Sequence, residues 1–190
     1  MSDAYKRAFE KTMANEGGYA DHPADRGGET FMGITRKNHP DWEGWKDIDN
    51  LKRSGHIKDA HKLPAMLAQV EKFYEEHYWI KVKSDKFAAI DYKGYEDLSL
   101  LLFDTAVHSG VRRASKLLQE SVGYKVPNIA VDGKIGRLTM TAVQDFILDL
   151  SAETLITIYS VLRGKFYLDI IARDKTQTVF LRNWMRRIEL

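Results

Sequence analysis

The chain of 190 residues contains no cysteine. Disulfide bonds and thiolate zinc sites are therefore excluded. The absence of cysteine fits a reducing cytoplasm, although it is also compatible with export. Other metal sites are not indicated either, because none of the six histidines shows ligand spacing with a second acid. The sequence predicts neither a metal nor another cofactor.

The chain also lacks a large excess of charge of either sign. Its 29 basic and 27 acidic residues give a formal net charge of +2. A nucleic-acid partner is not expected, because such proteins carry a broad basic footprint. Basic clusters occur locally at Arg112-Arg113 and at Arg182, Arg186 and Arg187. Each cluster is interpreted first as a solvated helix face, with contact to an anionic polymer as the alternative.

Long apolar runs are missing as well. No window approaches the roughly 18 consecutive apolar residues of a membrane span. The N-terminal Met-Ser-Asp-Ala-Tyr-Lys-Arg has no apolar core of the kind found in signal peptides. The sequence thus predicts a protein made in the cytoplasm without a signal peptide, and one that needs another carrier to act outside the cell.

What the chain does have is apolar residues at helical spacing. Hydrophobic residues make up 44% and aromatic residues 11%, so a globular domain with a proper core is expected. The predicted class is mainly α (α+β), with a small β-hairpin or irregular loop over the turn-rich residues 18–36. The stretch from Ile80 to about Tyr95 is predicted to be a loop. Helices are predicted over residues 3–15, around 50–61, from Leu63-Pro64 onward, and over 96–108, 111–122, 137–149, 151–173 and 176–188.

The most informative segment lies at the end of the first predicted helix. Glu16 is followed by Gly17-Gly18-Tyr19, and Asp25 comes nine residues after Glu16 in a glycine-rich turn region. Two carboxyl groups facing each other across a short hairpin are a workable geometry for cutting a glycosidic bond. The glycines allow sharp turns and close approach to a bulky substrate.

Glu16 is the candidate general acid. A carboxyl partly buried beside apolar groups holds its proton near neutral pH and can deliver it to a leaving oxygen. Asp25 is the candidate second carboxylate, which stabilises positive charge on the sugar or activates a water; the alternative is a turn-capping aspartate. Thr30 is expected to help hold that water, by analogy with the Glu, Asp, Thr order of phage lysozymes.

Four further stretches run along the rest of the chain: Tyr78-Trp79, Phe103 through Gly110, Leu118-Gln119 and Val131 through Thr139. With Glu16-Gly17-Gly18-Tyr19 and Asp25 through Thr35, they resemble glycoside hydrolase family 108 in content and order. That family is a lysozyme-like group of bacterial and phage N-acetylmuramidases. The resemblance implies a lysozyme-like helical fold, with a catalytic region over residues 1–95 and a helical peptidoglycan-binding region over residues 96–190, packed as one compact unit.

The resemblance also implies substrate-binding residues. Tyr19, Tyr78, Trp79 and Trp184 are candidates for stacking on sugar rings, with core packing as the alternative. Asp104 and His108 lie four residues apart on a predicted apolar helix, where they either face the substrate or form a satisfied polar pair in the core.

The expected function is hydrolysis of the β-1,4 bond between N-acetylmuramic acid and N-acetylglucosamine in peptidoglycan. The partner is the glycan strand of the bacterial wall, reached from the cytoplasm through a holin-type pore or export machinery, as for a phage endolysin or prophage enzyme. The alternative is a non-catalytic lysozyme-like protein that binds peptidoglycan or assists secretion.

Overall fold

The computed structural model describes residues 1–14, 18–21 and 28–188. The chain divides into two compact units, one formed by Met1–Ala8 with Tyr78–Leu190 and the other by Phe9–His77. The first helix, α1 (Asp3–Met13), contributes residues to both units. The second unit, called the hairpin unit below, contains the turn-rich segment. The first is called the helical unit.

A three-stranded antiparallel sheet forms in the hairpin unit from very short strands. They are β1 (Tyr19–Ala20), β2 (Thr30–Phe31) and β3 (Ile34–Thr35), in the order β1-β2-β3. Phe31 pairs with Ile34, so Met32 and Gly33 form a two-residue turn. Both turn residues have positive φ, 45° at Met32 and 80° at Gly33, as a type I′ hairpin turn requires. The Tyr74 hydroxyl donates to the Met32 carbonyl at 2.8 Å and fixes the turn.

The rest of the hairpin unit is helical. Helix α2 (Gly44–Ser54) ends at Gly55, which has a φ of 78° and caps the helix in the left-handed conformation. A 3₁₀ segment (Ile57–Lys62) and α3 (Pro64–Tyr74) follow, and α3 continues into a π-helical turn (Glu75–Trp79). The single helix predicted around 50–61 is therefore two elements, because Gly55 ends the first and the residues after it wind more tightly.

The helical unit is built around α5 (Tyr95–Ser109), which is buried on most sides. The predicted loop before it contains a short helix, α4 (Ser84–Ala88). Helices α6 (Val111–Gly123), α7 (Arg137–Asp149) and α8 (Ala152–Arg173) follow as predicted. The last predicted helix is a 3₁₀ segment (Lys175–Phe180) followed by α9 (Leu181–Arg186). The core between α5, α6, α7 and α8 includes Leu98, Leu102, Leu118, Val143, Phe146, Leu155 and Tyr159.

The predicted mainly α fold with a small β element near the N-terminus is confirmed. Within the described ranges 1–14, 18–21 and 28–188, no helix is long and apolar enough to cross a membrane.

Candidate functional site

The two predicted catalytic carboxylates, Glu16 and Asp25, lie outside the described residues. Their roles therefore stay predictions. The residues that border them in the sequence are described, at Gly18–Asp21 and from Gly28 onward. These bordering residues define the candidate site.

A histidine packs directly against the glycine-rich segment. A Cβ atom placed on Gly18 would lie 3.0 Å from Nδ1 and 3.3 Å from Cγ of His61. The close approach of this ring explains why a glycine, two residues after Glu16, occupies the position. His61 comes from the 3₁₀ segment, which places an imidazole beside Gly18.

Glu29 is the centre of a polar network beside β2. Its Oε1 accepts from the Tyr19 hydroxyl and from Lys52 Nζ, each at 2.9 Å. Its Oε2 lies 2.5 Å from Arg36 Nε, and only 13% of the side-chain surface is exposed. The carboxylate thus links β1, α2 and the residue that follows β3, through hydrogen bonds from Tyr19 and Lys52 and an ion pair with Arg36.

Arg36 and Lys52 extend this network to the surface. The guanidinium of Arg36 donates to both oxygens of Asp49, at 2.6 and 3.2 Å, and lies 4.6 Å above the Trp45 ring. This bidentate contact raises the pKa of Arg36 and lowers that of Asp49. The pKa of Lys52 is raised by its contacts with Tyr19 and Glu29, so the ammonium stays charged at any ordinary pH. Asp21 lies at the edge, 3.4 Å from Lys52.

Tyr19 is built into this network. Its hydroxyl oxygen also lies 3.1 Å from Asp21 Oδ2, so its single proton is shared between Glu29 and Asp21. Lys52 Nζ lies 5.6 Å from the centre of the Tyr19 ring. Burial raises the pKa of the Tyr19 phenol, and the ion-pair partners add smaller effects. Tyr19 is thus held at the hydroxyl end, with a partly exposed side chain.

Thr30 lies next to Glu29 at the start of β2. Its hydroxyl donates to the Gly28 carbonyl at 3.0 Å. A hydroxyl oxygen that donates one bond can still accept from a water or a sugar hydroxyl. The predicted role of Thr30 in holding a water fits this geometry and stays a prediction.

The other predicted substrate residues belong to the helical unit, and the position of Trp79 favours the core-packing alternative. It is 2% exposed and makes edge-to-face contacts with Tyr5 and Phe103, at 5.4 and 5.7 Å between ring centres. Tyr78 is half-buried against the apolar core, and burial raises its pKa. Both therefore share their ring surfaces with protein side chains.

Asp104 forms a buried ion cluster. It is 1% exposed and accepts from Arg163, which is fully buried, and from Arg187 at 3.0 Å. Burial by itself would lower the pKa of Arg163, but Asp104 outweighs this effect and raises it. Nδ1 of His108 lies 2.8 Å from the Asp104 carbonyl, which can only accept, so Nδ1 carries a proton. This arrangement favours the satisfied polar cluster over a substrate-facing pair.

Trp184 stacks on two aromatic residues that precede it in the sequence, Tyr167 and Phe180. Its ring centre lies 5.2 Å from that of Tyr167 and 5.8 Å from that of Phe180. Tyr167 in turn accepts from Arg163 Nε at 2.8 Å, so the aromatic stack rests on the buried ion cluster. Trp184 is only partly exposed, and Phe180 is 47% exposed at the outer end of the stack.

Glu29, Arg36, Lys52 and His61 were not among the residues predicted from the sequence. They lie up to 43 residues from Gly18 along the chain and share no periodic pattern with it. Two features of the sequence pointed to them. An acidic residue, Glu29, directly precedes Thr30, and two glycines follow Glu16 although a single glycine is enough to end a helix. Across the part of the chain that is described, no group of three or more histidine and acidic side chains is placed to hold a metal ion.

Comparison with known proteins gives the family. The protein-family model described as glycosyl hydrolase 108 matches residues 9–110. The family model described as a predicted peptidoglycan domain matches residues 113–189. The structure of Brucella abortus SagA is similar, with 30% sequence identity over 97% of this chain and 89% of that chain and a TM-score of 0.65. No curated protein matches the chain. Because the first model spans more than half of the residues, the chain belongs to the glycosyl hydrolase 108 family.

Proposed function

We propose that the protein is an N-acetylmuramidase that cleaves the β-1,4 bond between N-acetylmuramic acid and N-acetylglucosamine. The observation that carries the proposal is the pairing, in one chain, of a glycosyl hydrolase 108 match with a peptidoglycan-domain match. A hydrolase region joined to a wall-binding region fits an insoluble glycan polymer as substrate. The catalytic region is proposed to comprise residues 1–95 and the wall-binding region residues 96–190.

Glu16 is proposed as the general acid that protonates the leaving glycosidic oxygen. Asp25 is proposed to stabilise the developing positive charge on the sugar or to activate a water, and Thr30 to hold that water. The Glu29 network supports these assignments, because it fixes the strands that border both carboxylates in the sequence. Tyr19 is proposed to contact a sugar with its partly exposed ring.

The proposed site of action is the bacterial cell wall. A phage or prophage endolysin, released through a holin-type pore or by export machinery, is the setting proposed from the family resemblance. The exposed Arg182 and Arg186 near the C-terminus would favour the anionic wall polymer, whereas Arg187 is paired with Asp104.

The decisive experiment measures turbidity loss of purified cell walls with wild type and with Glu16→Gln. We expect wild type to clear the walls and the variant to be inactive while still sedimenting with them. Clearing by the variant at the wild-type rate would remove Glu16 from the mechanism. If both proteins bind walls and neither clears them, the non-catalytic wall-binding function replaces the enzyme.

The bond cleaved is identified by mass analysis of the released fragments. Hydrolysis by a muramidase leaves a reducing-end muramic acid. Reducing-end glucosamine would show cleavage of the other glycan bond, and an anhydro end would show a lytic transglycosylase. Either result would contradict the proposed specificity.

A further inference from the structure

A pocket of about 450 Å³ lies in the hairpin unit, between residues 38–43 and helix α3 with its π-helical extension. This volume is within the range of small-molecule binding sites. None of the described residues assigned above to the reaction lines it. The pocket is therefore available for a second contact with a ligand.

One side of the pocket is aromatic and rigidly held. His77 stacks on Phe73 with 4.1 Å between ring centres, and Trp42 presents its ring to Phe73 at 6.2 Å. The indole of Trp42 lies so close over Gly44 that a Cβ atom there would be 2.3 Å from Cζ2. Trp45 contacts the same indole edge-on at 5.1 Å. A wall fixed in this way needs little rearrangement to receive a ligand.

The charged lining of the pocket is mainly acidic. Asp41, Glu43 and Glu76 face a single lysine, Lys72, whose ammonium lies 4.0 Å from Glu76. The pKa of His39 is lowered by burial and then by His77, so this imidazole is neutral at pH 7. The described lining thus carries a net negative charge, and it combines carboxylates with aromatic faces. That combination suits a cation on an aliphatic chain.

The pocket is also connected to the hairpin. Phe31 of β2 stacks on Trp42, with 6.2 Å between ring centres and 19° between ring planes. Thr30, the neighbour of Phe31, belongs to the candidate site. A polymer lying along the hairpin could therefore place a branch against the pocket wall. In peptidoglycan the branches are short peptides with a diamino acid.

We propose that this pocket binds the side-chain ammonium group of the peptidoglycan stem peptide. The alkyl chain lies against Trp42 and the exposed ring of His77, and the ammonium group is held by Asp41 and Glu43. The pocket would be a second site of substrate recognition, in addition to the site that binds the sugars. The proposal rests on the proposed function only for the identity of the polymer. Binding of the peptide itself requires no cleavage, so the two proposals fail separately.

The test is calorimetric titration of the full chain with the tetrapeptide L-Ala-γ-D-Glu-L-Lys-D-Ala and with its Nε-acetylated form. We expect the free amine to bind at least about fivefold more tightly, as for charge pairs at partly exposed sites. The double variant Asp41→Asn with Glu43→Gln should remove this preference. Lys72→Gln should strengthen binding of the free amine about twofold, because it removes the competing cation.

Two further variants control for unspecific effects. Glu10→Gln removes an exposed carboxylate that does not line the pocket, and it should leave both affinities unchanged. Gly44→Ala should displace the indole of Trp42 and weaken the binding of both peptides by the same factor, since it alters the aromatic wall of the pocket and not its charge. Equal binding of the two peptides by wild type would overturn the proposal, as would an unchanged preference in a folded double variant. Peptide selectivity without wall cleavage would leave the pocket standing and remove the muramidase function.

Discussion

The two units hold their charged side chains in opposite ways. Glu29 in the hairpin unit keeps part of its surface exposed and divides its oxygens among a phenol, an ammonium group and a guanidinium group. Asp104 in the helical unit is sealed from solvent with Arg163. Removing one member of a buried ion pair leaves the other charge buried without a partner, so the pair acts on the stability of the fold. A partly exposed network can exchange one of its partners for a polar ligand. Substitutions at Asp104 should therefore act on stability, and substitutions at Glu29 on wall cleavage.

The largest effect is expected for Asp104→Asn. It leaves the guanidinium of Arg163 buried without a negative partner, which should lower the free energy of unfolding by about 3–5 kcal/mol. Urea denaturation measures this change. Asp97→Asn on the same helix is the control, since this residue is exposed and should change stability by less than about 0.5 kcal/mol. Equal changes in the free energy of unfolding for the two substitutions would show that the buried ion cluster stabilises the fold no more than an exposed carboxylate does.

Glu29→Gln tests the partly exposed network of the hairpin unit and should affect wall cleavage more than stability. The variant loses the charge that holds Lys52 and Arg36, so we expect a cost of about 1–2 kcal/mol in stability. The rate of wall clearing should fall about tenfold, because the strands bordering the proposed site lose their common anchor. Asp21→Asn removes the carboxylate charge that lies 3.4 Å from Lys52 at the edge of the network, while its amide oxygen can still accept from Tyr19, and it serves as the control. Full activity of a folded Glu29→Gln protein would separate the network from the site.

Gly18→Ala tests the packing of His61 against Gly18, two residues after the proposed acid in the sequence. The added methyl group would meet the imidazole at 3.0 Å, and the required shift should cost about 1 kcal/mol and reduce wall clearing. The double variant Gly18→Ala with His61→Ala should recover stability relative to Gly18→Ala alone. A double-mutant cycle in urea measures this coupling. Strict additivity of the two substitutions would contradict the proposed contact.

The smallest effect is expected for the exposed pair Lys93 and Glu153. A hydrogen bond from Lys93 lowers the pKa of Glu153 from 4.5 to about 2. A carboxyl with a depressed folded-state pKa stabilises the fold above its unfolded value, and this contribution disappears as the pH falls from 4.5 towards 2. Lys93→Gln should therefore flatten the pH dependence of the urea midpoint in this window. Lys81→Gln, which removes another exposed lysine, should leave the profile unchanged.

The long helices could be predicted because their own sequences specify them. Helix α5 is apolar on most sides, and α8 is capped by Ser151, whose hydroxyl accepts from the Thr154 amide at 3.2 Å. The π-helical turn after α3 and the short helix α4 were not predicted. The apolar spacing up to Tyr78 predicts a helix there but not its wider winding, and α4 is too short to show a periodic pattern, so the surrounding packing decides both conformations.

The candidate site was predictable only in part. Tyr19 and Thr30 belong to a local motif, so their place beside the hairpin follows from sequence spacing. Lys52 and Glu29 meet across 23 residues, and such a contact depends on where α2 packs. Trp79 shows the converse difficulty, because an aromatic ring suited to a sugar is equally suited to a core.

The buried ion cluster also determines when the helical unit can finish folding. Asp104 lies 59 residues before Arg163 and 83 residues before Arg187, and Arg163 additionally donates to the Arg187 carbonyl. On the ribosome, α5 is complete long before either arginine has been synthesised. The carboxylate of Asp104 must stay hydrated until then, so the native core around it cannot form before Arg163 is available. A nascent chain stopped before residue 163 would present an incomplete core that chaperones and proteases can recognise.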